Sequence, residues 1–288
     1  MIKLFVSDID GTLLPKPHLY DKKTGGVSGE DLDALSDLKR SGVRLGLATG
    51  RHHTFLSTFD RHPNLLLPTV GFNGGYAWMD GRVLYDNPFP KEEVRAMIRD
   101  FPEIIHGFMG CTVENTWVYY TLEDCRRFYF QGRAEGRCGF ERMYPLSLEE
   151  YLEDATVPPL SHIFISISPP HTVEQYRDIL NAHYAGTGLR AVITSPRSVD
   201  FLRGGDSKAA GIGILAERMG LSMEEVAVVG DSYNDIEMFR AAGRSFCMAG
   251  APEEVRRHAH QTVRGVAQAA RVILAENRQA AAGKKKEA

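Results

Sequence analysis

The chain opens on a short continuous apolar run, Leu4-Phe5-Val6, that ends within two residues at Asp8. A run without alternation is the pattern of a strand buried on both faces, as in a parallel sheet. A loop holding Pro15, Pro17, Gly25 and Gly26 follows, and between Leu14 and Ser28 it is long for a connection of this kind. Ser28 then stands as the N-cap of a helix that carries Leu32, Leu35 and Leu38 on one face and stops at Gly42. Residues 43–47 form the next strand, which closes on Ala48-Thr49-Gly50. Strand, helix and strand at this spacing make a βαβ unit, whose crossover is right-handed. The same grammar returns late in the chain. Residues 208–219 read as a helix with Ile212, Leu215 and Met219 together, 226–229 as a strand running into Gly230-Asp231, 234–242 as a helix and 245–248 as a short strand. The two stretches predict halves of one α/β unit, a Rossmann-like doubly wound parallel sheet.

The middle follows another pattern. Val94, Met97, Ile98 and Phe101 recur at helical spacing over residues 91–101, and the segments 108–113 and 116–120 flank Glu114-Asn115 as a β-hairpin. Ile163, Phe164, Ile165 and Ile167 mark a strand bounded by Pro169-Pro170. Residues 171–185 read as a helix with Val173, Tyr176, Ile179 and Leu180 inward, and 189–194 as a strand. This predicts an α+β domain inserted into the sheet core. The divisions read as core over 1–82, inserted domain over 83–195, core again over 196–277 and a disordered tail over 278–288.

A length of 288 residues suits that two-domain reading. Lys+Arg of 34 against Asp+Glu of 37 gives a net charge of −3, which argues against a nucleic-acid partner, since such a partner needs a concentrated basic face. The one basic run, Lys284-Lys285-Lys286, reads as solvated. No stretch has the length and apolarity of a membrane span, and Asp8 and Asp10 arrive too early for a signal-peptide core. Cys111, Cys125, Cys138 and Cys247 lie far apart without metal or redox spacing, which fits reduced thiols in a cytoplasmic protein.

Four segments carry candidate chemistry: Asp8-Ile9-Asp10-Gly11-Thr12-Leu13-Leu14, Thr49-Gly50-Arg51, Lys208 after Gly204-Gly205-Asp206-Ser207, and Gly230-Asp231-Ser232-Tyr233-Asn234-Asp235. Three of them sit where a strand stops and a helix begins, and in open α/β sheets ligands bind outside those carboxyl ends. Asp8, Asp10, Asp231 and Asp235 would crowd four carboxylates together, which is unfavourable without cations. Lys208 offsets one charge and a divalent ion two more; oxygen ligands without Cys or His favour Mg²⁺. Thr49 and helix-start amides can donate to a phosphate, and a carboxylate can attack phosphorus while a second one moves protons.

On these motifs the chain resembles the haloacid dehalogenase superfamily of phosphohydrolases, and DIDGTLL, ATGR, the lysine after the insertion and GDSYNDIEM resemble its Cof-type branch with an α/β cap. The resemblance implies Asp8 as nucleophile and Mg²⁺ ligand, and Asp10 as general acid/base with its carbonyl on the metal. It implies Thr49, Gly50, Lys208 and Asn234 at the phosphate, Asp231 on the metal and Asp235 supporting it. Arg51 and Asn73 are candidate substrate contacts. The implied reaction is hydrolysis of a small soluble phosphate ester, a sugar phosphate by resemblance. Phosphotransfer or mutase chemistry is the alternative, and a phospho-acceptor signalling module the alternative of another class. His52-His53 read as exposed or rim residues, Trp117, Tyr119 and Tyr120 as sheet packing, and Arg126 and Arg127 as surface charges.

Overall fold

The structure, a computed structural model, describes residues 1–14, 26–52, 67–121, 123, 144–167, 170–195 and 197–287. The loop after Leu14, His53, Cys125, Arg126, Arg127 and Cys138 lie outside the described residues. The first apolar run is β1 (Leu4–Ser7), buried throughout. Ser28 caps α1 (Gly29–Arg40) by accepting from Asp31 N, and Ala34, Leu35 and Leu38 are its buried stripe. There follow β2 (Arg44–Ala48), β3 (Thr69–Gly71), β4 (Tyr76–Met79) and β5 (Arg82–Asp86). The late half supplies α5 (Lys208–Arg218), β12 (Val226–Gly230), α6 (Ile236–Ala241), β13 (Arg244–Met248), α7 (Glu253–Arg256), β14 (Gln261–Val263) and α8 (Val266–Glu287).

All these strands form one sheet in the order β14-β13-β12-β1-β2-β3-β4-β5. It is parallel from β14 to β3, whereas β4 and β5 run antiparallel at the edge, so the sheet is mixed rather than wholly parallel. The edge escaped the sequence pattern because its strands are short and only one of them is well buried. Helices cover both faces: α1 and α8 pack on Phe5, Leu45 and Ala227, and α5 and α6 on Leu4, Val6 and Val228.

The inserted unit contains α2 (Lys91–Asp100), β6 (Phe108–Cys111), β7 (Thr116–Tyr119), β8 (Tyr144–Ser147), α3 (Leu148–Glu153), β9 (His162–Ser166), α4 (Val173–His183), β10 (Leu189–Ser195) and β11 (Ser198–Arg203). Its sheet has the order β10-β11-β9-β6-β7-β8. The expected hairpin is present, with Met109 paired to Tyr119. One sheet face, with Phe108, Val118, Ile163, Ile165, Val199 and Phe201, is covered by α2 and α4. The other face carries Cys111, His162 and Asp200 and meets the core at Phe72, Asn73 and Tyr76. Ile179, expected inward, is exposed; Val173, Tyr176 and Leu180 alone define the buried stripe of α4.

Sheet membership puts the divides somewhat later than positions 83 and 195: β5 bonds within the large sheet up to Asp86, and β11 within the smaller one. Residues 278–287 continue α8, as an Ala-rich segment with Arg, Gln and Lys favours. Cys111 and Cys247 are buried free thiols, and no helix among the described residues is long and apolar enough to cross a membrane.

Candidate active site

β1 lies between β12 and β2, and the chain leaves it in opposite directions on the two sides, which opens a crevice at the carboxyl ends of these strands. Asp8, Thr49 and Asp231 all emerge there. Asp8 N donates to Val229 O across to β12 at 2.9 Å. The chain then turns through Gly11, whose φ of +86° is left-handed and where any Cβ would collide with the Asp231 carboxylate. Thr12 Oγ1 donates to Asp231 Oδ1 at 2.9 Å. The local turn therefore fits residues 219 apart in sequence together.

Lys208 enters from α5, whose first turn is capped by Ser207 Oγ accepting from Ala210 N at 3.1 Å. Its Nζ donates to Asp8 Oδ1 and to Asp235 Oδ1, each at 2.7 Å. Asp235 Oδ2 accepts from Asp231 N at 2.8 Å and Ser232 N at 2.9 Å, so both of its oxygens are committed to protein donors. Asp8 Oδ2 is buried without any among the described residues. Burial pushes the Asp8 carboxyl well above the usual carboxylate range, with Asp235 and Asp231 adding to Lys208's failure to offset it. Burial and then Asp235 raise Asp231 to about 6, against the hydrogen bond from Thr12. Burial works against the Lys208 ammonium, yet Asp235 and Asp8 together hold it above the ordinary lysine value.

Oxygens of Asp8, Asp231 and Asp235 lie within 4.8 Å of one another. An all-carboxylate set with an orphaned Asp8 oxygen fits a hard divalent cation such as Mg²⁺. The raised carboxyls give this a sign. A group whose pKa is about 6 in the fold against 3.8 as a free side chain stabilises the fold below the lower value and loses that contribution as pH rises through the upper one. Thermal unfolding in chelator is thus expected to show a lower Tm at about pH 8 than at about pH 5, and Mg²⁺ to raise Tm more at the higher pH. Equal Tm shifts at both pH values would contradict the cluster's electrostatics.

The remaining predicted residues divide. Thr49 is buried, and its Oγ1 accepts from Arg51 N at 3.1 Å. Gly50 leaves room for the Asn73 amide, 3.1 Å from where a Cβ would stand. Asn73 is buried, and Asn234 Nδ2 donates to its Oδ1 at 2.9 Å. Asp10 stands apart from the carboxylate cluster, its side chain 44% exposed. Arg51 grips it through two guanidinium nitrogens, Nε at 2.6 Å and Nη2 beside it. His52, read as exposed or at the rim, is buried: its Nε2 lies 2.9 Å from Val113 O, between Phe72 and Tyr76. Pattern reading missed Asp200 and His162, which close over Asn73 from the inserted domain. The available signal was an aspartate inside the apolar run Val199-Asp200-Phe201-Leu202.

Residues 5–270 match the model of the haloacid dehalogenase-like hydrolases. The chain belongs to that family. It is 27% identical over 264 residues to the pyridoxal phosphate phosphatase YbhA of Escherichia coli, covering 90% of this chain and 92% of the relative. It is 25% identical over 259 residues to the 5-amino-6-(5-phospho-D-ribitylamino)uracil phosphatase YbjI of the same organism, covering 88% of each. Among solved structures it superimposes on the subclass IIB sugar phosphatase BT4131 with a TM-score of 0.74 at 22% identity, covering 94% of this chain and 98% of that one. A HAD/COF-like hydrolase from Plasmodium vivax gives 0.78 at 22% identity, covering 95% of both. The family's fold of a core sheet with a separate cap is the one described above, and membership among hydrolases sets the signalling-module reading aside.

Proposed function

We propose that this protein is a Mg²⁺-dependent phosphatase that hydrolyses a small phosphorylated metabolite through a phosphoryl group carried on Asp8. The observation that carries the reading is the Asp8 carboxylate. One oxygen is held by Lys208 and the other is buried and unpartnered at the carboxyl end of the central strand. A carboxylate so fixed on one side offers its other oxygen for attack on phosphorus. Asp8, Asp231 and the Asp10 carbonyl would hold Mg²⁺, which when bound neutralises charge on the phosphoryl oxygens.

The proton transfers fall to Asp10. As Asp8 Oδ2 bonds to phosphorus, the ester P–O bond breaks, and the leaving oxygen takes a proton from Asp10 to depart as the alcohol. Asp10, now a carboxylate, takes a proton from water whose oxygen attacks the phosphorus. The Asp8–P bond breaks, and inorganic phosphate and the Asp8 carboxylate are restored. Asp10 has to turn away from Arg51 to reach the leaving oxygen, which frees Arg51 for the substrate. Thr49, Lys208 and Asn234 surround the phosphoryl position. The relatives named as phosphatases of pyridoxal phosphate and of a phosphoribitylamino-uracil support hydrolysis over transfer to a second alcohol. A sugar phosphate remains the substrate class that the resemblance favours.

The test is release of inorganic phosphate from 4-nitrophenyl phosphate. Turnover is expected with Mg²⁺, loss of turnover with chelator, and recovery on adding Mg²⁺ back. Equal rates in chelator would overturn the metal-dependent reading.

A further inference from the structure

We propose that Asp200, on the inserted domain, is a positioning residue that dictates which way the amides of Asn73 and Asn234 face at the phosphate pocket. The proposal rests on the phosphatase reading above and adds a residue that none of the four sequence motifs contains.

An ionised carboxylate can only accept, whereas an amide offers oxygen at one end and N–H at the other. Asn73 Nδ2 donates to Asp200 Oδ2 at 2.7 Å. The Asn73 oxygen is thereby turned to the core, where it accepts from Asn234 Nδ2 at 2.9 Å. That in turn fixes Asn234 Oδ1, which is buried and has no partner among the described residues. Asn234 sits next to Asp235, the carboxylate that anchors Lys208. One acceptor on the cap therefore sets the polarity of two successive amides, and the second lies at the reacting centre.

Asp200 is itself over-determined. His162 Nε2 lies 2.9 Å from the same Oδ2 and must donate to it, and Thr194 Oγ1 donates to Oδ1 at 2.7 Å. The residue is 4% exposed, so these bonds are shielded from bulk solvent. The His162 ring stacks on Phe72, with centroids 4.5 Å apart and planes at 14°. Phe72 and Asn73 both take left-handed backbone, with φ of 50° and 56°. Consecutive non-glycine residues hold that conformation only where their surroundings enforce it. Here Thr49 O accepts from Asn73 N at 2.9 Å within the core, and the cap holds the two side chains through Asp200 and His162.

The test is a swap of polarity, read as kcat and KM for 4-nitrophenyl phosphate with Mg²⁺ alongside Tm. N73D keeps the left-handed preference but sets a second carboxylate against Asp200, and kcat is expected to fall about 100-fold, with KM changing far less. Adding D200N supplies an amide N–H to the new carboxylate, His162 moving its proton to Nδ1 so that Nε2 accepts from the same amide, while Asn234 Nδ2 still donates to the residue at position 73. The N73D/D200N protein is expected to regain at least about tenfold in kcat over N73D. D200A, with no acceptor, is expected to lose about 100-fold in kcat in protein that is still folded at the assay temperature. A merely structural role would make D200N worsen N73D, or would lower Tm with kcat intact. A double variant no faster than N73D, or D200A with wild-type kcat, overturns the proposal. If D200A does not fold, the N73D pair still decides it. Wild-type protein that leaves the ester uncleaved overturns the phosphatase reading itself, a result distinct from any pattern among variants.

Discussion

Asp8→Asn is expected to abolish phosphatase turnover, by at least about 10⁴-fold, while leaving the metal-free protein no less stable than wild type. The two halves of that result have separate causes. Activity is lost because an amide is not a nucleophile toward phosphorus and no other carboxylate occupies the same position: Asp235 is tied by three donors, and Asp231 is held by Thr12. Stability is kept because the surroundings of Asp8 disfavour its charge. Burial raises its pKa, and two neighbouring carboxylates add to the effect. The amide has the same shape, and its oxygen still accepts from Lys208. Steady-state rates with Mg²⁺ and Tm in chelator check both halves. Wild-type turnover by the variant would remove the covalent mechanism, and a sharply lower Tm would show that the Asp8–Lys208 bond outweighs the cost of burial.

The second large effect is expected at Lys208. Its side chain is 1% exposed, and its ammonium bridges Asp8 and Asp235, two groups that share no other cation among the described residues. Lys208→Met keeps the aliphatic stem and removes the charge, leaving two buried carboxylates face to face. Removing one partner of a buried ion pair costs about 3–5 kcal/mol, and loss of a charge aimed at the phosphoryl group costs about 10²–10³-fold in kcat. The sign with pH follows from the carboxylates left behind. Without Lys208 the Asp8 carboxyl, already raised by burial, is raised further, so its stabilising contribution persists at low pH and is lost as pH rises through the folded-state value. Urea unfolding is therefore expected to show the deficit against wild type growing from about pH 5 to about pH 8. A deficit that shrinks with pH would mean that Lys208 acts through packing of its stem, not through its charge.

Much of the core was legible because parallel strands covered on both faces are written as uninterrupted apolar runs, as in Leu4-Phe5-Val6 and Val226–Gly230. Edge strands lack that signature. β5 is half exposed, and β11 is interrupted by Asp200, so neither stood out. His52 shows the same limit. A histidine beside another histidine looks like surface, and it is tertiary packing, against Phe72 and Tyr76 and with Val113 O at Nε2, that buries it.

The candidate site divides along the same line. Spacing within a motif is set by local turn geometry. Asp8, Asp10, Gly11 and Thr12 had to fall at the end of one strand, and the Ser232–Asp235 turn had to bring its carboxylate back onto its own backbone N–H groups. These features, and the hard-oxygen chemistry they imply, were in the sequence alone. That the motifs gather at the carboxyl ends of the strands was expected too, but the contacts they make there were not. Lys208 reaches Asp8 across 200 positions because β1 takes the centre of the sheet, an order settled by burial of both faces of the sheet at once. The pairing of Asp10 with Arg51 and the closure of Asp200 over Asn73 were likewise tertiary outcomes. Hydrogen bonds of this kind depend on atomic separations of about 3 Å, which no one-dimensional pattern encodes. A length of 288 residues pointed to an inserted domain, and the packed structure turned that domain into a participant in the site.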